Sequence, residues 1–201
     1  MDKIPIILLA AGNSSRMQRP KQLLPWGAGT LIEHQINVLK ATTQPLYVVL
    51  GASAGQIIPL FEKTEVEIVL NNLWEKGMGS SVSAGIKRVE REVPGAKGVL
   101  FALIDQPLVT TDHFKNLISK FQAEKRQIIV SQSVSGWRGA PALFDKVYFN
   151  ELMCLDGTQG AKTIINKYPD RVIGCECADI LEDMDTPENY RQLLKRYKVN
   201  D

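Results

Sequence analysis

The chain has 201 residues, of which 44% are hydrophobic and 23% are charged. These fractions are typical of globular proteins and far from those of disordered or membrane-embedded chains. Lys and Arg total 24 against 22 Asp and Glu, and this balance excludes a broad basic surface, so no nucleic-acid partner is expected. The length favours one domain, residues 1–201.

The first apolar run and the three cysteines argue against a membrane-spanning or secreted protein. The first apolar run, residues 4–9, is much shorter than the roughly 20 apolar residues that a membrane span needs, and its flanks do not suit a secretion signal. We therefore expect a cytoplasmic protein with no membrane partner. Cys154, Cys175 and Cys177 fit that compartment as reduced structural thiols, since they complete neither a disulfide framework nor a metal motif.

Short apolar runs predict strands at residues 4–9, 46–50, 67–70, 99–104 and 128–130. Apolar residues at helical spacing lie between them, around residues 32–39, 82–93 and 114–121. Strands that are continuously apolar and alternate with helices are buried on both faces. The pattern therefore predicts an α/β fold, with a mostly parallel sheet covered by helices on both sides.

Helix-start signals support these assignments. Two pairs have capping-box spacing, Thr30 with Glu33 and Ser53 with Gln56. Near the end, Thr186-Pro187 has the pattern of an N-cap followed by proline at the first helical position. The most irregular stretch, residues 131–141, is predicted to be an active-site loop.

The loop after the first strand carries the strongest chemical signal, because ligands of parallel sheets bind beyond the carboxyl ends of the strands. Its small residues let backbone N–H groups converge on an anion, and Arg16 and Lys21 add positive charge, so phosphate is the expected ligand. Neither the P-loop motif nor G-x-G-x-x-G is present. The alternative is a solvated basic turn.

Two aspartates are candidate metal ligands. Asp105 follows the most hydrophobic strand and should project beside the first loop if the two strands are neighbours; a single carboxylate there suits Mg²⁺ held together with substrate phosphates. Asp185 precedes the last helix, where it is either a second ligand or a capping residue. The two histidines, His34 and His113, belong to no recognisable nucleophilic triad. We therefore expect an enzyme that uses charge and metal to hold a triphosphate for in-line attack.

The stretch LLAAGNSSRMQRPKQLLPWG, residues 8–27, resembles the L-A-A-G-x-S-x-R-M-G-x-x-K-x-L-L signature of the MobA-like molybdenum cofactor nucleotidyltransferases, above all their cytidylyltransferase branch. The resemblance continues along the chain. Its further segments are Asn71-Asn72, Gly77-Met78-Gly79-Ser80-Ser81, Ala84-Gly85, Asp105-Gln106-Pro107, Arg138-Gly139, Pro141, Leu143-Phe144, Gly160-Ala161-Lys162 and Asp185-Thr186-Pro187.

The resemblance implies a three-layer α/β/α, Rossmann-like nucleotidyltransferase fold with a mostly parallel seven-stranded sheet. It implies transfer of CMP from CTP to the phosphate of molybdopterin or molybdenum cofactor, with Mg²⁺ as cofactor and release of pyrophosphate. The pair Ala10-Ala11 goes with CTP, whereas Ala-Gly-Gly goes with GTP. A molybdo-hydroxylase apoprotein is a further candidate partner.

The resemblance also implies a role for each matching residue. The residues expected around the nucleotide are Leu9, Ala10, Ala11, Gly12, Asn71, Ser80 and Ser81. Arg16 and Lys21 are expected to hold the phosphates, Asp105 to bind the metal and Asp185 to complete the metal site. The residues expected to face the acceptor are Arg138, Gly139, Pro141, Gly160 and Lys162.

Four positions depart from the family pattern, namely Gln18, Ile104, Ala140 and Thr158. The last two lie on the acceptor side, so the acceptor is less well determined than the type of reaction. Methylerythritol cytidylyltransferases share Pro20-Lys21-Gln22, but their metal strand has a different ending from Ile104-Asp105-Gln106-Pro107. Sugar-phosphate nucleotidyltransferases are more distant. A non-catalytic protein that delivers molybdenum cofactor to a molybdo-hydroxylase is the alternative of another class.

Overall fold

A computed structural model describes residues 3–61 and 66–200 of the chain. Strands and helices alternate along it. The strands are β1 Ile6–Ala10, β2 Pro25–Trp26, β3 Gly29–Thr30, β4 Leu46–Leu50, β5 Glu67–Leu70, β6 Gly98–Leu103, β7 Ile128–Ser133, β8 Arg138–Asp145 and β9 Val172–Cys177. The helices are α1 Leu31–Lys40, α2 Ala54–Ile57, α3 Met78–Glu92, α4 Thr111–Lys120, α5 Phe149–Met153, α6 Lys162–Lys167 and α7 Pro187–Asn200.

Seven strands form one sheet in the order β5-β4-β1-β6-β8-β7-β9, and β2 and β3 pair separately. Only β8 runs antiparallel to its sheet neighbours, β6 and β7. The other pairs in the sheet are parallel. The predicted mostly parallel, seven-stranded α/β sheet is therefore confirmed.

The sheet separates two hydrophobic cores because side chains alternate along each strand. Ile6 and Leu8 of β1 belong to the core that includes Leu117 of α4 and Leu193 of α7. Ile7 and Leu9 belong to the opposite core, with residues of α3, α5 and α6. Helices thus cover both faces of the sheet, which gives the three-layer arrangement and explains why β1 and β4 are buried along their whole length.

The strand order decides where the polar loops meet. β1 pairs with β6 in parallel, with Leu9 opposite Leu103. The carboxyl ends of both strands therefore lie at the same edge of the sheet, and the loop after β1 lies beside Asp105. This is the neighbour relation on which the prediction for Asp105 depended.

The structure corrects the prediction for residues 131–141, which are not a loop along their length. Residues 131–133 complete β7, residues 138–141 begin β8, and residues 134–137 connect the two strands. The hairpin has a register shift between Val130 and Ser131. A serine-rich sequence with two glycines and a proline hid the strand ends because its residue types are typical of loops.

Two of the three predicted helix caps are confirmed. Thr30 and Glu33 form the reciprocal capping box, and the Thr186 hydroxyl accepts the N–H of Asn189 at 3.2 Å. The third prediction was wrong, because the Ser53 side chain makes no capping hydrogen bond at the start of α2. The helix that it precedes has only four residues, so little helical backbone requires a cap.

Neither histidine lies in a catalytic arrangement. The Nε2 of His113 lies 2.8 Å from the hydroxyl of Ser131, and that hydroxyl donates to the carbonyl of Pro141 at 2.8 Å. His113 therefore links α4 to both strands of the hairpin. Burial lowers the pKa of His113, since a charged imidazolium would lose its hydration.

The lowered pKa of His113 predicts that stability falls in mild acid. Above about pH 6.5 the imidazole of His113 is neutral in both the folded and the unfolded protein. Below that pH the unfolded chain binds a proton at His113 more readily than the folded protein does. The free energy of unfolding should therefore decrease as the pH falls from about 6.5 towards the lowered pKa, by about 1.4 kcal/mol for each unit of lowering. Urea unfolding at pH 7.5 and 5.5 measures this loss. His113→Gln should lose less stability over the same interval, and an equal loss would show that other groups cause it.

Candidate active site

The loop after β1 is held open by Gln22, a residue that is 1% exposed. Its Nε2 donates to the carbonyl of Ala10 at 2.7 Å and to the carbonyl of Gly12 at 3.1 Å. The carbonyl of Ala11 accepts the N–H of Ala52 at 3.1 Å. The carbonyl groups of three successive residues thus accept hydrogen bonds from other parts of the protein.

The N–H groups of this loop are left for a ligand. In the part of the chain that the structure describes, the amides of Gly12, Asn13 and Ser14 donate no hydrogen bond to the protein. Ser14 has a φ of 54°, so the chain turns sharply here. Successive N–H groups in such a turn form a concave site for an anion.

A cleft of about 390 Å³ opens in front of these amides, and we call it the first cleft. Its lining residues are Leu9, Ala11, Gly12, Asn13, Ser14, Ser15, Arg16, Lys21, Gln22, Trp74, Glu75, Gly77, Met78, Ser81, Leu103, Ile104, Asp105 and Asp185. Ala10 is absent from this wall because its side chain points into the opposite core. Leu9, Ala11 and Gly12 are thus the predicted loop residues that face the cleft.

Lys21 is the centre of a charge network in the first cleft. Its ammonium donates to Asp105 Oδ2 at 3.1 Å, to Asp185 Oδ1 at 3.2 Å and to the carbonyl of Met184 at 3.0 Å. Arg16 contacts the other oxygen of Asp185 at 2.9 Å. The four predicted side chains therefore meet, although 169 positions separate Arg16 from Asp185 in the sequence.

The side chains of Lys21 and Arg16 are buried to different extents. The Lys21 side chain is 10% exposed, whereas that of Arg16 is 70% exposed. Lys21 is therefore a fixed charge on the floor of the cleft, and Arg16 lies at its rim. A bound phosphate would meet Lys21 from below and Arg16 from the solvent side.

The charges of the cluster indicate how a metal would fit. Two cationic and two anionic side chains cancel, so the cluster alone does not neutralise the several negative charges of a triphosphate. Asp105 and Asp185 offer the hard carboxylate oxygens that Mg²⁺ and Mn²⁺ prefer. In the described ranges no group of three or more candidate ligands occurs, so an ion here would take its remaining ligands from phosphate and water, as Mg²⁺ usually does.

The structure adds a third carboxylate that sequence reasoning missed. Asp183 Oδ1 accepts a hydrogen bond from Gln106 Nε2 at 3.1 Å, and one side of the residue faces solvent. Partial burial raises the pKa of Asp183, and the nearby carboxylates of Asp105 and Asp185 raise it further, against the lowering effect of Gln106 and Lys21. Its position two residues before Asp185 in the sequence was the available signal.

Asn71 and Ser80 were expected around the nucleotide, but both lie behind the cleft wall. The Asn71 amide donates to the hydroxyls of Ser80 at 2.9 Å and Ser81 at 3.0 Å. Ser80 in turn donates to the carbonyls of Leu73 and Gly77. Of the three predicted residues only Ser81 lines the cleft, and the other two hold the start of α3 in place.

A second cleft of about 480 Å³ adjoins the first. Its lining residues are Leu9, Met78, Val82, Phe101, Leu103, Gln106, Trp137, Arg138, Gly139, Ala140, Ala142, Phe144, Thr158, Gln159, Gly160, Ala161, Lys162, Thr163, Ile165, Asn166 and Asp183. The two clefts share Leu9, Met78 and Leu103. Ligands in both would therefore meet at this common rim.

Four of the five predicted acceptor residues line the second cleft, namely Arg138, Gly139, Gly160 and Lys162. Pro141 does not line the second cleft; it is buried in β8, where its carbonyl accepts a hydrogen bond from the hydroxyl of Ser131. Whether the four lining residues contact an acceptor stays a prediction.

The family model for the MobA-like NTP transferase domain matches residues 6–172. The chain belongs to this family. The match begins at β1, and it includes the first loop, Lys21 and Asp105.

Relatives within the MobA-like family have diverse names. The purine catabolism protein PucB of Bacillus subtilis is 30% identical, with 92% of each chain covered. The nicotine blue oxidoreductase of Paenarthrobacter nicotinovorans is 29% identical, with 94% of this chain and 95% of that protein covered. The molybdenum cofactor cytidylyltransferase of Escherichia coli is 24% identical over 98% of both chains.

Solved structures of the family share the whole fold. The crystal structure of an Rv0371c homologue from Mycobacterium sp. strain JC1 superposes with a TM-score of 0.85, at 29% identity and 98% coverage of both chains. Rv0371c of Mycobacterium tuberculosis, solved in complex with manganese, gives a TM-score of 0.81 at 26% identity, with 96% of this chain and 98% of that chain covered. The protein is thus a MobA-like nucleotidyltransferase of α/β fold. Among its described helices, none is both long and apolar enough to span a membrane.

Proposed function

We propose that this nucleotidyltransferase transfers CMP from CTP to the terminal phosphate of molybdopterin or molybdenum cofactor and releases pyrophosphate. The observation that carries the proposal is the convergence of Arg16, Lys21, Asp105 and Asp185 in the first cleft, next to a second cleft that shares its rim. The E. coli relative named as a molybdenum cofactor cytidylyltransferase supports the choice of substrates. A cytoplasmic location and a molybdo-hydroxylase apoprotein as recipient of the product belong to the same proposal.

In this reaction an oxygen of the acceptor phosphate attacks the α-phosphate of CTP in line, and the bond between the α- and β-phosphates breaks. The amides of Gly12 to Ser14 orient the triphosphate. Arg16 and Lys21 neutralise the charge that develops on the leaving pyrophosphate. The protein contributes position and charge rather than a covalent intermediate.

Asp105 and Asp185 would hold a divalent cation, which we propose to be Mg²⁺. When bound, such an ion offsets phosphate charge and activates the phosphorus towards attack. The manganese complex of Rv0371c supports a divalent ion in the family. Because Lys21 contacts both aspartates, it holds their carboxylates side by side in the cleft.

The test is a pyrophosphate assay with purified protein, Mg²⁺, each of the four NTPs in turn, and molybdopterin or its molybdenum form. We expect release with CTP only when the pterin is present. Release that requires methylerythritol phosphate or a sugar phosphate would overturn the choice of acceptor. No release with any acceptor, combined with transfer of molybdenum cofactor to an apo-hydroxylase, would establish the non-catalytic delivery role instead.

Ala11 supports CTP because this residue lines the first cleft, where we propose that its methyl group limits the room beside the base. Ala11→Gly should lower the preference for CTP over GTP by about 10-fold, since one methyl group in a pocket discriminates by roughly 10- to 200-fold at most. The ratio of kcat/KM for the two nucleotides measures this. Ala10→Gly is the matched control because that side chain points into the opposite core. An unchanged ratio in the Ala11 variant would remove the basis for choosing CTP.

A further inference from the structure

Trp137 is a large aromatic residue whose side chain is partly exposed and belongs to neither hydrophobic core. It lies in the connection between β7 and β8, and 44% of its surface is exposed. The indole lines the second cleft and also a groove beside it. No prediction from the sequence assigned it a role.

Contacts hold both the backbone and the ring of Trp137. The N–H of Trp137 donates to the hydroxyl of Ser133 at 3.1 Å, and its carbonyl accepts the N–H of Ser133 at 2.9 Å. On the other side the ring lies against Gly139, where a Cβ atom would come within 2.5 Å of Cζ2 of the indole. Any side chain at position 139 would displace the ring, so glycine there lets the indole lie on the backbone of β8.

The rest of the second cleft offers apolar surface with charge at few points. Its walls include Val82, Phe101, Ala142, Phe144 and Ile165. Arg138, Lys162 and Asp183 are its charged residues. Such a site suits a ligand with a flat apolar face and a separate anionic group. The nitrogen and oxygen atoms at the edge of a heteroaromatic ring need hydrogen-bond partners, and the uncharged polar residues of the lining offer them, namely Gln106, Thr158, Gln159, Thr163 and Asn166.

We propose that Trp137 is the stacking surface for the planar heteroaromatic ring of the acceptor and thereby selects acceptors that carry one. This inference rests on the proposed function. The indole that lies against Gly139 also lines the cleft, and Arg138 and Lys162 of the same lining would receive the acceptor's phosphate. Aromatic stacking tolerates variation in the ring's edge substituents, because it uses the face of the ring.

A structural role for Trp137 as the anchor of the hairpin is the alternative, and two substitutions separate it from stacking. Trp137→Leu keeps an apolar side chain over Gly139 but loses the aromatic face, whereas Trp137→Phe keeps both. Val134→Ala is the matched control, since Val134 lies in the same connection, is 86% exposed and lines neither cleft.

The first experiment measures steady-state kinetics with CTP, Mg²⁺ and molybdopterin. Trp137→Leu should raise the KM for molybdopterin by about 10-fold, the scale of one lost stacking contact, while kcat and the KM for CTP change little. Trp137→Phe and Val134→Ala should resemble the wild type. A KM in Trp137→Leu equal to that of the wild type would overturn the inference, as would equal effects of Leu and Phe.

A second experiment separates the inference from the proposed function. Calorimetric titration with molybdopterin, without nucleotide, should show about 10-fold weaker binding to Trp137→Leu than to the wild type. If this difference appears while no variant releases pyrophosphate, stacking stands and the proposed transfer fails. If the wild type turns over and both forms bind equally well, stacking alone fails. A wild type that neither binds nor uses molybdopterin overturns both.

Discussion

Asp105→Asn is expected to lower the turnover of CTP by roughly 100-fold or more, because even groups that only support metal ligands contribute about 10- to 100-fold. The amide keeps the size of the carboxylate but loses the charge that faces Lys21 at 3.1 Å. Circular dichroism should show an unchanged fold. The rate of pyrophosphate release at saturating CTP and acceptor measures the effect.

Two controls sharpen this prediction. Asp170→Asn changes an exposed carboxylate that lines neither cleft, so it should leave the rate unchanged. If the Asp105→Asn variant is slow because it binds the metal more weakly, raising the Mg²⁺ concentration should partly restore its rate of pyrophosphate release. A variant that keeps near-native turnover at low Mg²⁺ would exclude the metal role of Asp105.

Lys21→Met is expected to abolish productive binding of CTP and also to destabilise the protein. Without the ammonium, Asp105 loses its ion pair, and Asp185 keeps only its contact with the exposed Arg16. We expect a loss of about 2 kcal/mol in the free energy of unfolding at pH 7, less than the ~3–5 kcal/mol seen when a fully buried pair is broken, because both carboxylates remain partly exposed. Urea unfolding measures this loss.

The salt dependence of Lys21→Met provides its check. Dissolved salt screens the repulsion between like charges that are partly exposed. The stability of Lys21→Met relative to the wild type should therefore recover as the ionic strength rises. Arg16→Met is the control: its side chain is 70% exposed, and exposed ion pairs contribute about 0–1 kcal/mol. It should weaken CTP binding with little loss of stability, and a loss equal to that of Lys21→Met would contradict this account.

The sequence was most informative where one local pattern determined the structure. The continuous apolar runs identified β1, β4 and β6 because strands buried on both faces leave few polar positions, and a shorter run identified the more exposed edge strand β5. β9 escaped notice, since it lies at the edge of the sheet, where only Cys175 of its six residues is buried and no long apolar run forms. β8 was obscured by the glycine and proline near its start.

In the candidate site, too, the sequence predicts what a local pattern determines and misses what depends on distant contacts. Lys21 and Asp105 could be paired because the carboxyl ends of neighbouring parallel strands meet. Gln22 could not, because its role depends on carbonyls 10 and 12 residues away, and no local pattern encodes such a contact. Trp137 depends in the same way on the absence of a side chain at Gly139.

The reversed direction of β8 has a consequence for how the family can diversify. The first cleft rests on the ends of the parallel strands β1 and β6, whose side chains also form both cores. The second cleft takes Trp137, Arg138 and Gly139 from the beginning of an antiparallel strand and from an exposed connection. On the proposed function, substitution or insertion at residues 134–137 can therefore remodel acceptor recognition without disturbing the cleft proposed for the nucleotide. An ancestral transferase could in this way acquire new acceptors while its triphosphate chemistry stayed fixed.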